Sequence, residues 1–181
     1  MNLKETPVKQ EILYTGRIIR LRRDEILLPN GKPATREVIE HPGGVGVVPL
    51  TERGEVLLVR QFRYPYGEET LEIPAGKRDP GEDPFETGKR ELREETGATA
   101  ATYRELGQLY PTPGYCGEII CMYAAKDLSF GETDPDEDEF LQVVKMPLET
   151  AVEKVLSGEI KDSKTQAALL KCKILRDRGL F

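Results

Sequence analysis

Apolar and polar positions along the chain predict strands first and a mixture of strands and helices afterwards. Residues 17–28 (RIIRLRRDEILL) mix β-branched and charged side chains, Pro29-Asn30-Gly31-Lys32-Pro33 reads as a turn, and 35–40 resumes an extended pattern. Asn-Gly between two such runs predicts a β-hairpin. After His41-Pro42-Gly43-Gly44, two apolar runs at 45–50 and 56–62 flank the turn Thr51-Glu52-Arg53-Gly54, and a short run at 71–73 leads into Pro74-Ala75-Gly76. A helix then opens with Asp83 as cap, Pro84 at its first position and Glu86 placed to close a capping box, and it stops at Gly97. Phe85 and Leu92 are its core-facing residues. Gly88 in its middle costs about 1 kcal/mol against alanine, which points to close packing there.

Further strands are predicted at 103–109, 118–125 and 140–146, with an acidic loop over 131–139. Helices are predicted at 148–156, between Pro147 and Gly158, and at 163–178, between a capping Asp162 and Gly179. Strands and helices mix without a regular βαβ alternation, so the fold class expected is α+β, a mixed sheet between helices.

The helix that ends at Gly97 carries the candidate chemistry. Glu91 and Glu95 are four apart with Glu94 beside them, so three carboxylates project from neighbouring positions on one helical surface. Two unit charges about 5 Å apart repel by roughly 3 kcal/mol at an effective dielectric near 20. Such crowding calls for a positive partner, and clustered hard oxygens suit Mg²⁺ or Mn²⁺, which work with substrate phosphates. The plainer reading is a solvated helix, in which a pair such as Arg90–Glu94 adds only a few tenths of a kcal/mol.

Composition narrows the partners. The chain has 181 residues, 38% hydrophobic and 32% charged, with a net charge of −6, so a broad basic face for nucleic acid is not expected. No apolar stretch approaches a membrane span, and the start MNLKETPVKQEILY lacks the apolar core of a signal peptide. Cys116, Cys121 and Cys172 show no metal-ligand spacing and read as reduced thiols of a cytoplasmic protein. His41 is the only histidine; without a nucleophile motif beside it, it reads as a turn or strand-end residue.

Gly76, five residues, Glu82, seven residues and then Arg90-Glu91-Leu92-Arg93-Glu94-Glu95-Thr96-Gly97 resemble the signature of the Nudix hydrolases at every charged and glycine position. Only Ala98 departs, where a larger aliphatic residue is usual. The resemblance implies a Nudix α/β/α sandwich over 45–181, and residues 1–44 look like the β-hairpin N-terminal extension of the ADP-ribose pyrophosphatases. It also implies a reaction, in which water attacks one phosphorus of a nucleoside diphosphate linked to a further group. By the same resemblance Glu91 and Glu95 are metal ligands, with Glu94 and the backbone carbonyl of Ala75 joining them around more than one Mg²⁺ or Mn²⁺ ion. Arg90 would orient the glutamates, and Glu82 would either reach metal through water or brace the loop.

Beyond the box the subfamily resemblance is carried by Leu109-Tyr110-Pro111-Thr112-Pro113-Gly114-Tyr115, of which Pro113 and Gly114 would mark the substrate site. Arg63 matches a phosphate-binding arginine, Glu72 an acidic residue lining the pocket, and Arg36 an arginine that reaches the phosphates of a partner subunit. Each of these three has a plain strand or surface role as its alternative. In the acidic loop Glu139 is the first candidate for the base that activates water and Glu137 the second, with Glu94 the remaining candidate. Tyr14, Tyr64, Tyr66 and Tyr115 are open candidates for a wall against adenine.

The expectation is therefore a metal-dependent homodimeric hydrolase that cuts ADP-ribose, a small nucleoside diphosphate, into AMP and ribose 5-phosphate. The alternatives are a broader nucleotide-sugar or nucleoside-diphosphate hydrolase, and a non-catalytic Nudix-like ligand-binding regulator.

Overall fold

The computed structural model describes residues 2–135 and 139–181. The chain divides into two compact units, one of Met1–Gly43 with Tyr110–Ile119, the other of Gly44–Leu109 with Ile120–Phe181.

The first unit is an antiparallel meander of β1 (Thr6–Thr15), β2 (Arg20–Leu27) and β3 (Pro33–Glu40). The hairpin expected around Asn30-Gly31 is β2–β3: Gly31 takes φ +79°, and Gly31 N donates to Leu28 O at 2.8 Å. A third strand corrects the two-stranded expectation. Every residue of β1 is exposed, so it has no buried face to impress a period of two on the sequence. Its order comes from pairing with β2 and from contacts such as Arg23–Glu11 at 2.6 Å. The segment Tyr110–Ile119 joins this unit through Ile39, whose N donates to Tyr115 O and whose O accepts from Gly117 N, both at 2.8 Å.

The second unit holds a four-stranded mixed sheet, ordered β7 (Ala75–Lys77), β4 (Gly44–Pro49), β9 (Ile120–Phe130), β8 (Ala98–Leu109). Beside it runs a three-stranded sheet, ordered β10 (Leu141–Pro147), β5 (Glu55–Arg63), β6 (Glu68–Glu72). Strand β4 lies parallel to β9 and is buried along its whole length, as a strand covered on both faces must be. Alternate residues serve opposite layers. Val47 packs with Leu92, Ala98 and Ala125 beneath α1 (Pro84–Thr96). Val48 packs with Leu58, Met122 and Leu169 on the side of α3 (Ser163–Asp177), where α2 (Leu148–Leu156) also lies. Burial of a leucine such as Leu92 contributes about 1.5–3 kcal/mol.

The capping signals shape α1 largely as expected. Asp83 accepts from Phe85 N at 2.9 Å, and Gly97 closes the helix at φ +68° with its N donating to Arg93 O. Glu86 does not complete a capping box but turns outward to Lys89 at 3.0 Å. A Cβ on Gly88 would stand 3.0 Å from Val45 Cγ1 and 3.2 Å from Val47 Cγ2, which is the close packing its position in the helix suggested.

Candidate active site

The site grows from the short strand β7 and the facing side of α1. Pro74 O accepts from Val47 N, and Ala75 N donates to Glu95 Oε2 at 3.0 Å, so Glu95 is tied to the strand by a backbone hydrogen bond. Glu91, one turn earlier, lies over Gly76. A Cβ there would come within 2.0 Å of the Glu91 carboxyl, so only glycine leaves room for that carboxyl.

Electrostatics sets these two glutamates apart. Glu91 and Glu95 are 7% and 2% exposed. Burial raises their carboxyls to about 7 and about 8, and the nearby charge of Glu139 adds to both. Such groups demand a positive neighbour to stay ionised. Arg90 supplies part of it, with Nη1 at 2.8 Å from Glu91 and 2.9 Å from Glu94. The same guanidinium donates from Nε and Nη2 to the two oxygens of Glu82, both at 3.1 Å, and from Nη2 to Lys77 O at 3.2 Å. These hydrogen bonds hold the Glu82 carboxyl at about 2 and clamp the loop between β7 and α1. Glu94 is the more exposed member of the trio and is also met by Arg93 at 3.3 Å.

The donor set fits a divalent cation. Two buried carboxylates are raised by desolvation, one of them packed into the space that Gly76 leaves, and hard oxygens of this kind suit Mg²⁺-like ions. Among the described residues no three carboxylates, histidines or cysteines are gathered closely enough to grip an ion by side chains alone. An ion held there would complete its shell from a backbone oxygen such as that of Ala75, water, and oxygens of the substrate.

The loop after β9 is hitched to α1: Gly131 N donates to Gly97 O at 2.7 Å and Asp134 N to Glu94 O at 2.9 Å. Farther along, Glu139 is exposed and lines a shallow groove of about 500 Å³ with Arg60, Phe62 and Phe140. Glu137 lies outside the described residues.

The structure brings Ala75, Gly76, Glu82, Arg90, Glu91, Glu94, Glu95 and Gly97 together as the sequence spacing required. Arg63 and Glu72 also belong to the second unit, joined by two hydrogen bonds of 2.7 Å. Arg36, Pro113 and Gly114 belong to the first unit. There Arg36 pairs with Glu5, and Pro113 and Gly114 are exposed on a turn closed by Cys116 N to Thr112 O at 3.0 Å. His41 Nδ1 accepts from Gly43 N at 3.1 Å, the turn role expected of it. Tyr14, Tyr64, Tyr66 and Tyr115 are all exposed.

Sequence reasoning missed Lys164, which is buried and contacts Glu72 and Asp162. A signal for it existed: a lysine in the first turn of a helix, where cations are disfavoured, needs carboxylates nearby.

Comparison with known proteins agrees with this geometry. The NUDIX domain model matches residues 40–168, and the nucleoside diphosphate sugar hydrolase N-terminal domain model matches residues 5–39. An ADP-ribose pyrophosphatase of Bacillus subtilis is 41% identical over 93% of this chain and 92% of its own length. A methanol dehydrogenase activator of Bacillus methanolicus is 39% identical over 92% and 91%, and an ADP-ribose pyrophosphatase of Mycobacterium tuberculosis 39% identical over 90% and 80%. The fold is shared with a crystal structure of an ADP compounds hydrolase, at a TM-score of 0.85 over the full length of both chains and 24% identity. The matched domain and the relatives that align over most of its length agree: this chain belongs to the Nudix family.

Proposed function

We propose that the chain hydrolyses the diphosphate bridge of ADP-ribose to AMP and ribose 5-phosphate, using Mg²⁺ or Mn²⁺ at more than one position. The observation that carries the reading is the packing around β7, where the Glu91 carboxyl fills the space over Gly76 and Glu95 is buried against Ala75 N. Nudix hydrolases generally need divalent metal ions. The relatives named ADP-ribose pyrophosphatase supply the substrate.

Divalent ions held by Glu91, Glu95, Glu94 and the Ala75 carbonyl would neutralise phosphate oxygens and make water more acidic. The chain's own residues supply the remaining functions. Arg90 fixes Glu82 and Glu94 in orientation, and Arg63 offers its guanidinium to the diphosphate. Glu139 accepts a proton from the attacking water, whose oxygen bonds to one phosphorus as the bridging P–O bond breaks. The bridge oxygen leaves with the second monophosphate. Glu137 is the second candidate for that proton.

A homodimer built through the N-terminal unit accounts for β1, a sheet-edge strand with Val8, Ile12, Leu13 and Tyr14 all exposed; open edges of this kind are covered in native proteins. Three unpaired cysteines favour the cytoplasm. Among the described residues no helix is long and apolar enough to cross a membrane.

The test is monophosphate release from ADP-ribose, a nucleotide sugar, NADH and a diadenosine polyphosphate, each with and without Mg²⁺. The proposal expects metal-dependent turnover with the highest kcat/KM for ADP-ribose. Higher kcat/KM for the nucleotide sugar would favour the broader hydrolase reading. The relative named as a methanol dehydrogenase activator keeps a regulatory reading in view; tight ADP-ribose binding without any turnover would support it. A monomer in sedimentation at micromolar concentration would remove the dimer.

A further inference from the structure

Glu72 is a buried carboxylate whose acceptor sites are all taken. Arg63 Nε donates to Oε1 and Arg63 Nη2 to Oε2, both at 2.7 Å. Thr70 Oγ1 donates to Oε1 at 2.6 Å, and Lys164 Nζ donates to Oε2. Four donors match the roughly four lone-pair sites of a carboxylate, and the residue is 2% exposed. A ligand hydroxyl would find nothing to bond there, so Glu72 acts on a ligand through the groups it holds.

Arg63 is differently placed. Its side chain is 39% exposed, it commits Nε and Nη2 to Glu72, and its Nη1 has no hydrogen-bond partner among the described residues. One edge of the guanidinium is anchored and the other is available.

Lys164 secures the anchor from 92 residues away. It projects from the first turn of α3, against the positive end of the helix dipole, and it is held by Glu72 and by Asp162 Oδ1 at 3.1 Å. Arg63 and Lys164 together balance Glu72 and Asp162. Without the lysine the cluster would carry a net negative charge beside an arginine meant for an anion, and Glu72 would lose one of the two donors on Oε2. The same turn of α3 has an independent hold on the sheet, because Thr165 Oγ1 accepts from Ile73 N at 2.9 Å and donates to Asp162 Oδ2 at 2.5 Å. Lys164 is therefore not the only tie between α3 and the end of β6.

We propose that Lys164 is a positioning residue for substrate: by fixing Glu72 it sets the Arg63 guanidinium so that its free edge meets the diphosphate oxygens. The inference rests on the ADP-ribose reading above. It assigns Glu72 and Lys164 no direct contact with the ligand.

Calorimetric titration of α,β-methylene ADP-ribose, whose bridge resists hydrolysis, tests it in Mg²⁺ on wild type, Lys164→Met, Arg63→Met and the double variant. Each single change should weaken binding about tenfold, and the double should be no weaker than Arg63→Met alone, since both act through one guanidinium. In turnover of ADP-ribose, Lys164→Met should raise KM with kcat held within about threefold. Lys164→Gln, which keeps a donor for Glu72, should recover part of the affinity and serves if Lys164→Met fails to fold. Wild-type affinity in the Lys164 variants, or losses that add in the double variant, would overturn the inference. A wild type that neither binds the analogue nor hydrolyses ADP-ribose would instead overturn the substrate reading, and this inference with it.

Discussion

The Glu91 carboxyl occupies the space that a side chain at position 76 would need, with a Cβ there falling 2.0 Å from it. The obstacle is the far end of a flexible side chain, so Gly76→Ala should fold, with a stability loss of about 1–2 kcal/mol at most. What it should lose is the carboxyl's position. We expect kcat to fall at least about a hundredfold, with a weaker Mg²⁺ requirement curve, measured by turnover against metal concentration. Activity within a factor of two of wild type would show that Glu91 has no fixed task over Gly76.

Gly88 lies two turns before the end of the same helix and should give the opposite signature. It packs against Val45 and Val47 rather than against the site. Gly88→Val should overpack that contact and cost about 1–3 kcal/mol of stability, seen as a lower Tm, while kcat per folded molecule stays near wild type. A large kcat loss at unchanged Tm would contradict this division of labour.

In the proposed metal-binding role Glu95 trades stability for chemistry. Its carboxyl is buried and raised to about 8, yet it accepts from Ala75 N, a bond that a glutamine oxygen can also accept. Glu95→Gln should therefore raise the Tm of metal-free protein by about 5 °C, while kcat drops by orders of magnitude. Calorimetry in EDTA beside a turnover assay checks both, and a lowered Tm with full activity would refute the assignment.

Metal removal should expose a pH dependence of stability with a worked sign. Glu91 and Glu95 are raised to about 7 and about 8 from an ordinary 4.5. Between those limits the native state holds protons that the unfolded chain has released, so stability without metal falls as pH rises from 4.5 towards 8. Glu72 has the opposite sign. Burial pushes its carboxyl up, but the Arg63 hydrogen bonds and the Lys164 charge outweigh that and hold it at about 2. Its contribution is present above 4.5 and is lost as pH falls towards 2. Thermal unfolding in EDTA should therefore show a maximum near about pH 5, and saturating Mg²⁺ should flatten the decline above it. A metal-free profile that rises from pH 5 to 8 would contradict the burial of unpaired charge at this site.

The parts legible in the sequence were those whose signal is local. Helix α1 announces itself through Asp83, Pro84 and Gly97, and the box through spacings that one turn of helix converts into proximity. The sequence pattern marks strand β8 only from 103, because Ala98, Ala100 and Ala101 carry little strand preference, whereas in the structure it begins at Ala98, directly after the helix cap. Strand β1 was illegible for want of a buried face. The Arg63–Glu72–Lys164 cluster was illegible for another reason: no local pattern joins residues 92 positions apart, and only the docking of α3 against the end of β6 creates the contact.

The two backbone hydrogen bonds from Gly131 to Gly97 and from Asp134 to Glu94 couple parts of the candidate site that the chain order keeps separate. Glu139, the proposed base, thus follows a loop whose start is hydrogen-bonded to the very helix that carries Glu91 and Glu95. Insertions after Asp134 should alter where Glu139 reaches while leaving the hold of Ala75 N on Glu95 in place.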